Sequence, residues 1–393
     1  MKLAVRRTSA AIAAVATAGV SSIFFGAAPA FAATEACADG TLVAPGICEQ
    51  TFTGPATFTP TSQMTQLEVL LVGAGGSSTD GQYTQPGYAG AAAGGGGEVK
   101  IVDFAGATAP LDVVVPTPGT SGSVTSGATV ATVDNGDDGE LDSQQGNERG
   151  ARGGSSGSTT GPGNPGAFGS NSSATTPYAA GGGAGSAAPN NADGGAGVAV
   201  STVAAGVPGS LFAGVGTCYG GGGAVGTSTV QGIPGCDAGR SDAAGTSLVA
   251  PRANSGGGAG AIEVTQTPSQ RAGAAGVVVI RYTAANVTLA FSANGHGTAP
   301  ASQSVVPGTA PTRPADPTAT GFAFQGWYTD AQLTTLADFS APITGSTTFY
   351  ASWAPALAAT GVTPTVEALP IGLAALAFGA GLVLVSRRRR TSN

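Results

Sequence analysis

Glycine constrains this chain more than any other feature: it supplies 66 of 393 residues, many of them in runs such as Gly94 to Gly97, Gly181 to Gly183, Gly220 to Gly223 and Gly256 to Gly258. Segments so poor in side chains bury little apolar area. The 41% hydrophobic content overstates the core, because much of it is alanine. Strand-like pieces frame the runs. After the Thr- and Phe-rich stretch from Cys48 comes "LEVLLVGAGG" (67–76), an apolar run halted by glycines. "GEVKIVDF" (97–104) and "APLDVVVP" (109–116) follow, and the β-branched "GAAGVVVIRYT" (273–283) lies far downstream. The pattern predicts a mainly β chain. A flexible Gly/Ser linker is the alternative, but a linker has no use for framing strands.

The four cysteines fall into two local pairs, Cys37 with Cys48 and Cys218 with Cys236. In an exported chain, their proximity reads as two short-loop disulfides. Export is written at the N-terminus. Lys2, Arg6 and Arg7 precede an apolar run from Ala10 to Phe25, and the triplet Ala30, Phe31, Ala32 offers a cleavage site between Ala32 and Ala33. Residues 1–32 therefore read as a signal peptide and 33–50 as an N-terminal disulfide loop.

The C-terminus carries a second address. Residues 368–386 hold no charge, enough as a helix to span most of a bilayer, and Arg387 to Arg390 follow at once. A block of guanidinium groups resists transfer across the membrane and halts an exported chain. The expectation is a C-terminal transmembrane helix with the arginines inside. Between the two addresses the chain keeps eight basic against 21 acidic residues, a net charge of −13. So acidic a surface repels phosphate backbones and argues against nucleic acid as a partner.

Ahead of the span stand Leu357, Ala358, Ala359, Thr360 and Gly361. This pentapeptide, followed by spacer, span and Arg cluster, resembles the sorting signal of Gram-positive wall-anchored proteins in the LAxTG form of high-GC actinobacteria. The resemblance implies that a sortase attacks the Thr360 carbonyl, releases the chain from Gly361 onward and joins Thr360 to peptidoglycan. Residues 354–393 would then be a cell-wall sorting signal, and the membrane would be touched only through that tail.

Residues 51–283, opening with "VGAGG" and closing with "GVVVIRY", resemble the glycine-rich domains of secreted bacterial proteins and phage tail adhesins. That resemblance implies polyglycine-II-like helices packed side by side and framed by strands. The physics is consistent, since chains without Cβ can approach until their backbones hydrogen-bond. Residues 286–353 resemble a Listeria-Bacteroides repeat, on the strength of Asn294-Gly295, the turn from Pro311 to Pro317, "GFAFQGWYTD" (321–330) and "TTFYASW" (347–353). His296 stands where members usually carry a second glycine. The repeat implies a small β-grasp-like fold, with Trp327 and Trp353 in its core.

Catalytic signals are weak. Gly221, Gly223 and Gly226 satisfy G-x-G-x-x-G only against a glycine background. The acidic stretch from Asp134 to Asp142 departs from a calcium loop at Gly136 and at Gln145. His296, the single histidine, has no elbow serine to serve. No cofactor or metal is expected, and the chain is not expected to be an enzyme. The expected role is a wall-anchored surface protein whose partners are sortase, peptidoglycan and a host or environmental glycan or protein. Tyr83, Tyr88, Tyr178, Phe212 and Tyr219 are its candidate ligand contacts. A structural acidic coat is the alternative.

Overall fold

The computed structural model describes residues 37, 40–82, 89–145, 148–152, 155–157, 163–171, 178–226, 234–236, 238–241, 248–262 and 269–356. The expected signal peptide with its Ala32/Ala33 junction, Tyr83, Tyr88, the expected sorting motif from Leu357 to Gly361 and the expected span at 368–386 all lie outside the described residues.

The framing strands build two packed sheets. In chain order they are β1 (Thr41–Ala44), β2 (Ile47–Phe52), β3 (Ala56–Phe58), β4 (Leu67–Val72), β5 (Val99–Asp103), β6 (Leu111–Val114), β7 (Gly122–Ser126), β8 (Thr129–Val133) and, after the glycine-rich stretch, β9 (Val277–Thr283). One sheet has the order β1-β2-β9-β4-β5 and the other β8-β7-β6-β3, and all their pairings are antiparallel. Leu67, Val69, Leu71, Val278, Ile280 and Tyr282 from the first sheet meet Phe58, Leu111, Val113, Val124 and Val133 from the second in one core.

The opposite face of β4 and β9 is also covered. Leu70, Val72, Val277 and Val279 pack under Val200 and Ala204 of the short helix α1 (Val200–Ala204) and under Phe212. Burial on both faces explains why these two strands read as unbroken apolar runs rather than as alternation. Glu68 interrupts the run and is 1% exposed. Its carboxylate accepts the Ser210 hydroxyl at 2.6 Å and the Leu211 amide at 3.0 Å, which satisfies the buried charge. Register sets Glu68 opposite Arg281 on β9, which in turn stands opposite Glu49 on β2. Arg281 donates to Glu49 at 2.7 Å and to the Leu211 carbonyl at 2.9 Å, and its guanidinium lies 4.8 Å from the Phe212 ring centre. These contacts tie the loop after α1 to the sheet.

Between these sheets and the far end lies the glycine body. The segment 94–97 shows its logic. Gly94 and Gly97 donate to Ala259 and Gly256 of one neighbouring segment, Gly95 donates to Asp137 and Gly96 to Gly182. In return Gly223, Gly76 and Gly157 donate to the carbonyls of Gly94, Gly95 and Gly96. Residues three apart thus return to the same neighbour while the intervening ones reach others, the periodicity of a threefold extended helix. Six segments surround this one. A Cβ at Gly96 would collide with the carbonyl oxygen of Gly220, so glycine is required there by close approach.

Both cystines form, Cys37 with Cys48 and Cys218 with Cys236, each with a Cα separation of 5.7 Å. The second joins the start of the Gly220–Gly223 run to the neighbouring segment at Gly235.

The repeat contributes β10 (Val287–Ser292), β11 (Gln303–Val305), β12 (Phe322–Tyr328) and β13 (Thr347–Pro355) in the order β11-β10-β13-β12. Its central pair, β10 with β13, is parallel, as in a β-grasp, while the described connection between them carries no helix. Trp327, 1% exposed, sits among Phe291, Phe349 and Leu289. Phe324, Trp353 and Phe322 continue the aromatic series outward, and His296 lies against Phe322 with ring centres 3.8 Å apart. The repeat meets the framing sheet at the β1–β2 turn, where Gly46 donates to Pro307 at 2.8 Å and accepts from Ala284 at 2.8 Å.

Candidate functional site

The direction of β9 decides which end of the molecule is free. It runs from Val277, next to Gly276 of the glycine body, to Thr283, four residues before β10 begins at Val287. β4 runs antiparallel to it, with Leu67 opposite Tyr282 and Val72 opposite Val277, and passes directly into Gly73 to Gly76. The glycine segments therefore extend from the edge of the sheets farthest from the repeat. At their outer ends the chain resumes short pairings that form the opposite pole.

There Ser78–Gln82 pairs with Ala89–Ala92 and Ser269–Arg271, and Ala89–Ala92 pairs in parallel with Tyr178–Ala179. Glu140–Gln145, Glu148–Arg152 and Phe168–Asn171 form a second sheet, while Val225–Gly226 joins Ala261–Ile262 and Arg240–Ser241 joins Leu248–Val249. In sequence, the described pairings bracket residues 83–88, 172–177, 227–233, 242–247 and 263–268. Arg149, Arg152, Arg240 and Arg271, half of the basic residues between the two addresses, belong to these outer pairings. Glu140 stands directly opposite Arg152.

Of the three described candidate ligand contacts, Tyr178, Phe212 and Tyr219, one lies on this pole. Tyr178 is there, half-buried against Ala91, Ala93, Val225 and Ala261. Phe212 is 1% exposed and belongs to the core over β4 and β9, so its assignment as a surface contact is corrected: an aromatic among small residues is here what plugs the second face of the sheet. Tyr219 lies near the sheets, partly buried against the same cluster with the Arg252 guanidinium 5.3 Å from its ring. Burial pushes its hydroxyl above the usual tyrosine range, against the opposing pull of Arg252.

Other sites considered from the sequence have structural occupations. The acidic stretch is itself one of the glycine-body segments. Gly136 donates to Ala74, the Asn135 side chain accepts the Ala74 amide at 2.9 Å, and the Asp138 carboxylate accepts the Ser77 amide at 2.6 Å. Among the described residues no group of three His, Cys, Asp or Glu is placed to hold a metal ion. A surface cavity of about 400 Å³ beside the second cystine is lined by Ser186, Pro189, Asp193, Pro234 and Cys236. The Ser186 hydroxyl is engaged with Ala187 and Ala196, and Asp193 with Asn190.

Comparison with known families follows the two bodies. A family model described as a glycine-rich domain matches residues 50–283, more than half the chain, and one described as the Listeria-Bacteroides repeat domain matches residues 288–352. No curated protein and no solved structure matches the chain.

Proposed function

We propose, for a chain that belongs to the glycine-rich domain family and carries a Listeria-Bacteroides repeat, a role as a cell-wall-anchored surface protein that presents its outer pole as a recognition surface. The observation that carries the proposal is the opposition of the two ends. β9 leads from the glycine body to the repeat, β13 ends at Pro355, and the sorting motif begins two residues later at Leu357. A chain held at Thr360 would therefore keep the repeat near the wall and turn the outer pairings away from it. Binding residues are commonly carried at the end of a backbone-paired scaffold. Sortase and peptidoglycan are the anchoring partners in this reading, and the membrane is used only through the 368–386 tail. No catalytic role and no cofactor are part of it.

The acidic-coat reading remains the second one, because the loss of Phe212 from the surface leaves fewer aromatic contacts for a specific ligand. The two separate on binding. Cells displaying the chain, and cells displaying a version in which residues 242–247 are replaced by Gly-Ser, are passed over arrays of glycans and matrix proteins. Retention that the replacement abolishes supports recognition. Absence of retention on every surface supports the coat.

A further inference from the structure

An asparagine followed by glycine is prone to lose its amide, because a glycine nitrogen, unhindered by a side chain, can reach the preceding side-chain carbonyl. The sequence contains two such pairs, Asn135-Gly136 and Asn294-Gly295. The structure gives them opposite surroundings.

Asn135 lies in the glycine body. Its side-chain oxygen accepts the Ala74 amide at 2.9 Å, and its side-chain nitrogen donates to the Thr117 carbonyl at 3.0 Å. The Gly136 nitrogen, the atom that would have to attack, donates to the Ala74 carbonyl at 2.8 Å. Gly136 is buried, and a Cβ there would collide with the Gly95 carbonyl, so this peptide has no room to turn toward the side chain. Asn294 and Gly295 are exposed just beyond β10. The Asn294 side chain makes no hydrogen bond to any described residue, and a Cβ on Gly295 would meet nothing within 4 Å. Their φ angles of 51° and 87° form a two-residue turn. It is held by the His296 amide on the Ala293 carbonyl and the Asn294 amide on the Ser292 hydroxyl, each at 3.2 Å. Opening these two long bonds frees the Gly295 peptide, whereas freeing Gly136 requires the body to part.

We propose that Asn294 is a site of spontaneous covalent modification, and that the fold directs this chemistry to the repeat while sparing the body. The Gly295 nitrogen bonds to Cγ of Asn294, the Cγ–Nδ2 bond breaks, and the displaced nitrogen leaves as ammonia with the proton from Gly295. The resulting five-membered succinimide adds water at one of its two carbonyls and opens to aspartate or isoaspartate. Either product carries a new negative charge, and isoaspartate lengthens the turn by one main-chain atom. The neighbouring Ala293 carbonyl also accepts the Trp353 indole at 2.8 Å, which holds the end of β10 to β13. A longer turn draws that carbonyl away and loosens the aromatic edge of the repeat. The change needs no enzyme and accumulates with the age of the chain.

The test uses the unaltered chain as recovered from cells, incubated at mildly alkaline pH in its folded state and, in parallel, in denaturant. Mass spectrometry follows amide-to-acid conversion in the peptides holding 135 and 294, and an isoaspartate-specific methyltransferase marks the rearranged product. In the folded chain, conversion at 294 is expected to be about tenfold faster than at 135 or more, and in denaturant the two rates are expected to converge. Tryptophan emission is expected to move to longer wavelength as conversion proceeds. That drift should be absent from Asn294→Gly, which suits the left-handed turn and has no amide to lose. Equal rates in the folded chain, a difference undiminished in denaturant, no conversion at 294 over a period that converts the denatured chain, or the same drift in Asn294→Gly would each overturn the proposal.

Discussion

The Glu68 carboxylate accepts the Ser210 hydroxyl at 2.6 Å across a sequence separation of 142. A buried carboxylate in an otherwise apolar strand ties the segment after α1 to the central sheet, because that segment supplies two of its donors, the Gln66 side chain supplying a third at 3.1 Å. Removing the anion leaves the Ser210 hydroxyl and the Leu211 amide unsatisfied. Glu68→Ala is expected to destabilise the framing sheets by about 3 kcal/mol, and Ser210→Ala by about 1 kcal/mol. Chemical denaturation of the two variants checks the order, and equal effects would remove the carboxylate from this role.

Close approach, rather than backbone freedom, makes the glycines of the body necessary. Gly96→Ala would drive a methyl group into the Gly220 carbonyl, with backbone on both sides, whereas Gly216→Ala meets nothing within 4 Å. The first is expected to destabilise by roughly 3 kcal/mol and the second by less than about 0.5 kcal/mol. Thermal unfolding distinguishes them, and proteinase K should cut the first variant within residues 75–260 faster than the parent chain.

The two modules are expected to respond to acid with opposite sign. In the glycine body, burial and then the charges of Asp138, Glu140 and Asp134 push the Asp137 carboxyl above its ordinary value of 3.8. Its charged form is disfavoured in the folded state, so stability is gained as pH falls through the raised value toward 3.8 and lost as pH rises. In the repeat, the amides of Thr334 and Thr335 hold Asp330 below 3.8, and the hydroxyl and amide of Ser340 hold Asp338 below it. Those contributions are present above 3.8 and disappear as pH falls through the lowered values. Both tryptophans, Trp327 and Trp353, lie in the repeat, so tryptophan fluorescence follows that module alone. Its melting temperature should drop below pH 3.8, less steeply in Asp330→Asn, while Asp137→Asn should stabilise the glycine body at neutral pH.

Much of this architecture is legible in the residues. The runs at Leu67 to Val72 and Val277 to Ile280 announce strands, the glycine blocks announce close backbone packing, and cysteine proximity announces both cystines. What stays hidden is long-range. Sequence spacing does not say that Gly96 neighbours Gly182 rather than another of the glycines, because such contacts carry no side-chain signature. α1 is five residues of Val, Ser, Thr and Ala with no side-chain cap, too short and too β-branched to stand out. For the same reason Phe212 looks like a loop aromatic until the layer it completes is seen. β7 and β8 do alternate around Gly127, a signal the glycine background obscures.

Display at the wall underlies the proposed role, and one spectrum tests it. After enzymatic digestion of the wall, the C-terminal peptide of the released chain is to be read by mass spectrometry. The expected peptide ends at Thr360 with a peptidoglycan fragment attached. A peptide continuing through Gly361 into the apolar tail, on chains found in detergent extracts or culture fluid, would contradict the proposed anchoring and the orientation built on it.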